Sequence, residues 1–498
     1  MYNSLQVILK YSIIFLFALF VLVSFLAQTE GSDERKRGRY ALQGIFIVLI
    51  HAAAFICIFL NIADGTVRSF TMKDALILYG VQLLYLLLML ILLPKLIRLS
   101  RGINSVMCMF LTIGFFMQAR LNFQLAKKQF IYLLIASAVF IVFQFLYKFI
   151  KGMYRLTWAY CAAGIILILI VLIFAQIDAG AKIAIDFGFI SFQPFEFVKI
   201  LFVLFIAGAF NKANSFKTVA ITALFAAVHI FLMVICTELG TALMLFVVYI
   251  LMLYVATRKF RYILIGGGAF IAACVAAYFL FSHVRTRITV WLDPFADIDN
   301  RGYQLTQSLF AIGSGGWFGT GLFKGSPGYV PMVTNDFVFS AICEELGLVF
   351  AIFLIMLTLC MVLMILKVAI RIDEPFNKMT AFGLGCTFGF QIFLTVGGAI
   401  RLIPSTGVNF PFISSGGSSL LASMLIIGIV QGLYIVSEKD VQFEREIIAE
   451  EIMYLKDGRE AELFRLSEDE EPEEMYISEG RIVKVNPDKD TDEHRKES

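Results

Sequence analysis

Charge is scarce in this chain of 498 residues. Asp, Glu, Lys and Arg together make up only 16% of it, against about a quarter in a soluble globular protein. With 59% hydrophobic residues and a mean hydropathy of +0.84, that shortage excludes a soluble enzyme, a disordered chain and a nucleic-acid binder. Histidine is rarer still, with 4 residues, and no Ser/His/Asp arrangement can be assembled from them. The eight cysteines form no CxxC pair and no Cys/His cluster with metal-ligand spacing, so no metal ligands are assigned. They lie in or beside apolar runs and read as small buried hydrophobes.

What the chain has is apolar length. A helix needs about 20 apolar residues to cross a bilayer. Thirteen stretches approach that: 6–27, 41–61, 75–94, 104–119, 129–150, 157–177, 195–210, 218–236, 239–257, 260–282, 337–367, 379–403 and 416–437. Runs this long satisfy their backbone in lipid only as helices. The expectation is an all-α polytopic membrane protein in contact with the lipid bilayer. Lys and Arg favour cytoplasmic loops, and alternate loops hold the larger share: Arg35–Arg39, Lys95–Arg101, Lys148–Arg155, Lys212–Lys217, Arg258–Arg261 and Lys367–Lys378. The N-terminus is therefore expected outside and the C-terminus in the cytoplasm. From Glu438 onward, 21 acidic residues against 10 basic give the tail a charge of −11, leaving the rest at +14. That tail, 438–498, reads as a short amphipathic helix near Val441–Leu455 followed by the acidic run Ser467–Glu474: a solvated segment, or a docking segment for a cytoplasmic partner.

One outer segment stands apart. Residues 283–336 form a long extracellular loop whose Trp, Pro and Gly content predicts an ordered, partly helical structure. It ends at Asp336, where the next span begins. Partial burial there would raise the pKa of the carboxyl and poise it as a base; a helix N-cap is the plainer role. Glu344 and Glu345 follow about 12–14 Å deeper along that span, as structural ion-pair partners or as cavity-facing groups. Glu196 and Lys199 share a helix face, either as a self-contained pair or to orient a polar head group. Lys128, Arg285, Arg287, Lys324 and Arg401 are expected on the same outer side. Together they would suit an anionic, pyrophosphate-like lipid; singly they read as snorkelling or solvated side chains. The glycines of 313–321 lack the dinucleotide fingerprint, with Phe318 at its last position, and read as turns or close backbone packing.

The ordered blocks carry a resemblance. Gly180-Ala-Lys182, Ile190–Ile200, Glu238-Leu-Gly-Thr-Ala242, Tyr303–Gly316, Gly319-Thr-Gly321, Asp336-Phe-Val-Phe339, Glu344-Glu-Leu-Gly347 and Pro411–Ser419 resemble, in order, the motifs of the SEDS family (shape, elongation, division and sporulation proteins). The resemblance implies a ten-helix core over 104–437, with three extra transmembrane helices in 1–103. It implies a peptidoglycan glycosyltransferase that polymerises lipid II at the outer face of the cytoplasmic membrane, working with a class B penicillin-binding protein. The family's essential aspartate falls on Asp336. Glu196 and Lys199 match polar family positions, and Lys128 stands where Arg is common. Ile183-Ala184 replaces Arg-Trp, Phe195 replaces Ser, Glu238 replaces Asp and Ser415 replaces Tyr. A divalent cation is a candidate cofactor without an assigned ligand set. Two competing readings are a flippase for a lipid-linked sugar and an inactive scaffold of a wall-synthesis complex.

Overall fold

The computed structural model describes residues 2–29, 32–146, 152–175, 191–211 and 215–456, and short strands at 177–178, 181–182, 185–186, 475–478 and 481–484. The acidic run Ser467–Glu474, Lys148, Lys151 and Lys212 lie outside the described residues. The apolar runs fold as helices. The first three are α1 Tyr2–Leu26, α2 Asp33–Ala63 and α3 Met72–Leu87; α3 continues through a π-helical turn, Leu88–Leu92, into α4 Leu93–Leu96. Then come α5 Arg101–Leu121, α6 Phe123–Leu146, α7 Thr157–Phe174, α8 Phe195–Ala209, α9 Phe216–Ile235, α10 Leu239–Thr257 and α11 Arg261–Leu280. The long loop supplies α12 Ser282–Leu292 and α13 Tyr303–Gly315, and the chain closes with α14 Val338–Arg371, α15 Pro375–Ala399 and α16 Gly417–Lys456.

Among the described residues, 12 helical runs are long and apolar enough to cross a membrane. The stretch read as a seventh span, 195–210, folds as a helix of 15 residues, about 22 Å long, and so falls below the length of those 12. Pro194 stands at its start, and Phe210 caps its end. The segment near Val441–Leu455 is not a separate helix: α16 runs unbroken to Lys456.

Local chemistry sets the helix ends. Thr71 and Asp74 form a reciprocal capping box at the start of α3, satisfying two donors that the helix leaves free. Helix α5 is buried along its length, so the other helices pack around it.

Hydrogen bonds define the two ends of the bundle. At one end Gln118 of α5, Gln129 of α6 and Gln193 before α8 reach Ile413, Ser414 and Ser418 before and at the start of α16. At the other end Ser100 and Gln431 exchange two hydrogen bonds, Lys367 donates to the Gln28 carbonyl, and Arg39, Arg101 and Arg371 gather around Tyr40. Arg371 ends α14 and Asp336 precedes its start, so the aspartate lies opposite this basic end.

The glycine run of the long loop has a packing role. Helix α14 breaks at Gly347, whose φ of +82° and ψ of 173° are non-helical and open to glycine at little cost. The interrupted backbone is repaired by residues 316–321: Thr320 and Gly321 donate to the Glu344 and Glu345 carbonyls, and Leu348 and Val349 donate to Gly316 and Trp317. A Cβ at Gly319 would lie 2.2 Å from the Glu345 carbonyl oxygen, and one at Gly347 would lie 2.3 Å from the Gly319 nitrogen. Only glycine permits that approach.

Candidate active site

The chain just before α14 presents Asp336. Its neighbours are fixed by backbone bonds: Ser415 N donates to the Thr334 carbonyl at 2.7 Å, Gln118 Nε2 donates to the same carbonyl at 3.0 Å, and Ser414 Oγ donates to the Asn335 carbonyl. Asp336 as a residue is half-buried, and its carboxyl is the desolvated part. Oδ2 lies 3.9 Å from where a Cβ at Gly407 would stand, so the Gly407 turn is in ordinary contact distance of the carboxyl. Desolvation raises its pKa to about 6, against lowering pulls from a hydrogen bond to its own backbone and from the Arg287 guanidinium.

Arg287 lies on α12 and is anchored through Nη1 to the Ser405 carbonyl at 2.7 Å. The same guanidinium acts on Glu238, at the start of α10. Burial lifts Glu238 to about 7, Arg287 opposes the rise, and the nearby carboxylate of Glu196 adds to it. Glu196 accepts a hydrogen bond from Lys199 one turn on. Lys199 is 2% exposed and also donates to Gln391 Oε1 at 2.6 Å. Gln391 in turn donates to the Asn409 carbonyl at 2.9 Å. Three carboxylates, two cations and an amide, drawn from α8, α10, α12, α15 and the turn before α14, thus converge on one end of the bundle.

The other residues singled out in the sequence stand elsewhere. Lys128 and Arg285 are exposed. Lys324 is exposed and donates to Asn3 Oδ1 at 3.2 Å. Arg401 grips the carbonyls of Trp291 and Leu292 at the end of α12, where a cation suits the helix dipole. Glu345 pairs with Arg120 at 2.8 Å and accepts from Phe323 N at 3.1 Å, while Glu344 accepts from Ser326 N at 2.6 Å. These two glutamates fasten residues 323–326 to α14.

Three participants were not picked out individually from the sequence. Glu238 was visible only as one letter of a motif. Gln391 and Arg120 sit inside or at the end of apolar runs, where a single polar residue gives no hint of its partner. A polar residue in a span is costly enough to mark a site, and that was the available signal.

Residues 103–439 match the model of the FtsW/RodA/SpoVE cell cycle proteins. The peptidoglycan glycosyltransferase RodA of Mycobacterium tuberculosis (strain ATCC 25618 / H37Rv) is 40% identical over 267 residues, 50% of this chain and 57% of that protein. The protein of the same name from Mycobacterium leprae is 36% identical over 321 residues, 61% of this chain and 69% of its own length. The chain thus spans 57% of the first of these relatives, less than two thirds of it. Among solved structures, a chain from a peptidoglycan synthase complex described as coordinating polymerization and crosslinking shares the fold. Its TM-score is 0.59 at 23% identity, covering 68% of this chain and 98% of that one. The extent of the matched region and these identities place the chain in the FtsW/RodA/SpoVE family of cell cycle proteins.

Proposed function

We propose that the protein is a peptidoglycan glycosyltransferase that polymerises lipid II at the outer face of the cytoplasmic membrane. The observation that carries this reading is Asp336: a half-buried aspartate, its carboxyl held at about 6 by burial, beside Arg287 at the bundle end opposite the basic loops. The positive-inside rule then puts the aspartate outside. The N-terminal end of α1 goes with it, since Asn3 and Lys10 bond to Lys324 and Gly319.

The chemistry follows from the geometry. The hydroxyl of one lipid-linked sugar attacks the anomeric carbon of another. Asp336 takes the hydroxyl proton as the new C–O bond forms, and the bond to the pyrophosphate breaks with its electron pair leaving on oxygen. General-base help of this kind contributes about 10²–10⁴-fold. Arg287 is the cation that stabilises the departing charge, an effect strengthened in a partly desolvated site. Exposed Lys128, Arg285 and Lys324 add positive field on the same side and steer an anionic head group. Lys199, Glu196 and Gln391 form the floor, and Glu344 and Glu345 act through the loop they fasten. A single displacement inverts the sugar.

No group of three or more Asp, Glu, His or Cys side chains among the described residues is arranged to hold a metal ion, so no step is routed through a divalent cation. A class B penicillin-binding protein is the proposed partner, in keeping with the crosslinking complex whose fold this chain shares.

The test is polymerisation of lipid II by the purified full chain, with and without such a partner, resolved by chain length. Glycan strands are expected. Lipid translocation across liposomes without polymer would replace this reading with a flippase. Neither activity, with partner capture intact, would leave a scaffold.

A further inference from the structure

Helices α1–α3 lie outside the family-matched region, yet one of their side chains points at the back of the site. Gln82 of α3 is fully buried, and neither its Nε2 nor its Oε1 has a hydrogen-bond partner among the described residues. It lines a small cavity of about 10 Å³ together with Gln118, Gln129, Gly114, Phe130 and Phe412. Gln118 Oε1 is likewise buried and unpartnered. An amide left unpaired in an apolar interior is costly, so a partner is expected. A cavity needs about 10–15 Å³ of such volume to hold one water, with two or more polar partners. The volume and the three unpartnered atoms fit one water and little else.

The position of this cavity matters because of the other end of Gln118. Its Nε2 donates to the Thr334 carbonyl at 3.0 Å and to the Ile413 carbonyl at 2.9 Å. Thr334 is two residues before Asp336. Gln129 completes the support: it donates to the Ser414 carbonyl at 3.2 Å and accepts from Gly416 N at 3.1 Å.

We propose that Gln82 is a positioning residue: through one buried water it holds the Gln118 amide in the orientation that fixes the 334–336 and 413–416 loops, and so aims Asp336. Gln82 donates to the water, the water donates to Gln118 Oε1, and Gln118 keeps both N–H groups on the loop carbonyls. A helix outside the family-matched region thereby tunes the family site. The effect on catalysis rests on the proposed glycosyltransferase activity; the water and the loop order do not.

The experiment therefore has two independent readouts on the purified full chain. In Gln82→Met, which keeps length and volume but removes the polar end, amide hydrogen exchange in 332–337 and 413–416 should rise by about tenfold while that of α3 itself stays unchanged. In the lipid II assay kcat should fall roughly three- to tenfold, the worth of one hydrogen bond, with KM nearly constant. The double variant Gln82→Met/Gln118→Met should be no worse than Gln118→Met alone, because both act through one contact. Gln43→Met serves as a control: Gln43 is as deeply buried and bonds to Ser24, but it does not line this cavity. Unchanged exchange in the two loops of Gln82→Met, additive losses in the double variant, or the same loosening from Gln43→Met would each overturn the proposal. If the wild type makes no polymer, the exchange arm still decides it.

Discussion

At the scale of single residues, the site is a competition between burial and one arginine. Burial pushes Asp336 to about 6 and Glu238 to about 7, and Arg287 pulls both down. A general base works only when ionised, so polymerisation should fall as pH drops through about 6, roughly tenfold per unit below that point. Initial rates across a pH series check this; a rate flat to about pH 4 would remove Asp336 from the role. Replacing Arg287 by Ala takes away one of the two lowering influences on Asp336, the other being a hydrogen bond to its own backbone. The acid limb of the Arg287→Ala profile should therefore move to higher pH, and the plateau should drop as well, because the leaving pyrophosphate loses its cation. Asp336 itself was legible in the sequence, by its position at a span start and by its motif. Its poise was not, since the raised pKa comes from burial in the folded chain, and Arg287, which tempers it, is 49 positions earlier in the chain and reaches the site only through the folding of the long loop.

At the scale of elements, the break in α14 and the loop laid across it form one unit. Glu345 is fully buried and its partner Arg120 is partly buried, with 17% of its side chain exposed. Removing one member of a buried pair leaves an uncompensated charge, at a cost of about 3–5 kcal/mol. Glu345→Gln should lower the apparent melting temperature of the purified protein by several degrees, more than Lys128→Gln, whose side chain is exposed. Equal melting temperatures would mean that the pair does not hold the loop. The helices themselves could be read from apolar length, because lipid leaves the backbone few other choices. The 15-residue α8 was read from the same apolar composition, which did not announce how short the helix would be. The glycines of 313–321 were open in the sequence to either turns or close packing. The packing role needed the partner backbone at Gly347, which no local pattern announces.

At the scale of the whole molecule, the account requires the Asp336 end to face outward. Asp299 and Arg37 are exposed at opposite ends of the bundle by this reading. A membrane-impermeant maleimide applied to intact spheroplasts should label Asp299→Cys and spare Arg37→Cys; the reverse pattern would put the aspartate in the cytoplasm, away from outer-face lipid II. The native cysteines interfere little, since six of the eight are buried.

The most direct test replaces the base alone. Asp336→Asn keeps size and shape, so the protein should insert and purify like the wild type and melt no lower. Its melting temperature should even rise at about pH 8 and not at about pH 4, because ionising a desolvated carboxyl weakens the fold only above the unfolded pKa. Against this intact background, lipid II incubated with the variant should yield no glycan polymer, whereas the wild type yields chains. Wild-type amounts of polymer from Asp336→Asn would contradict the assignment of the base and the mechanism built on it.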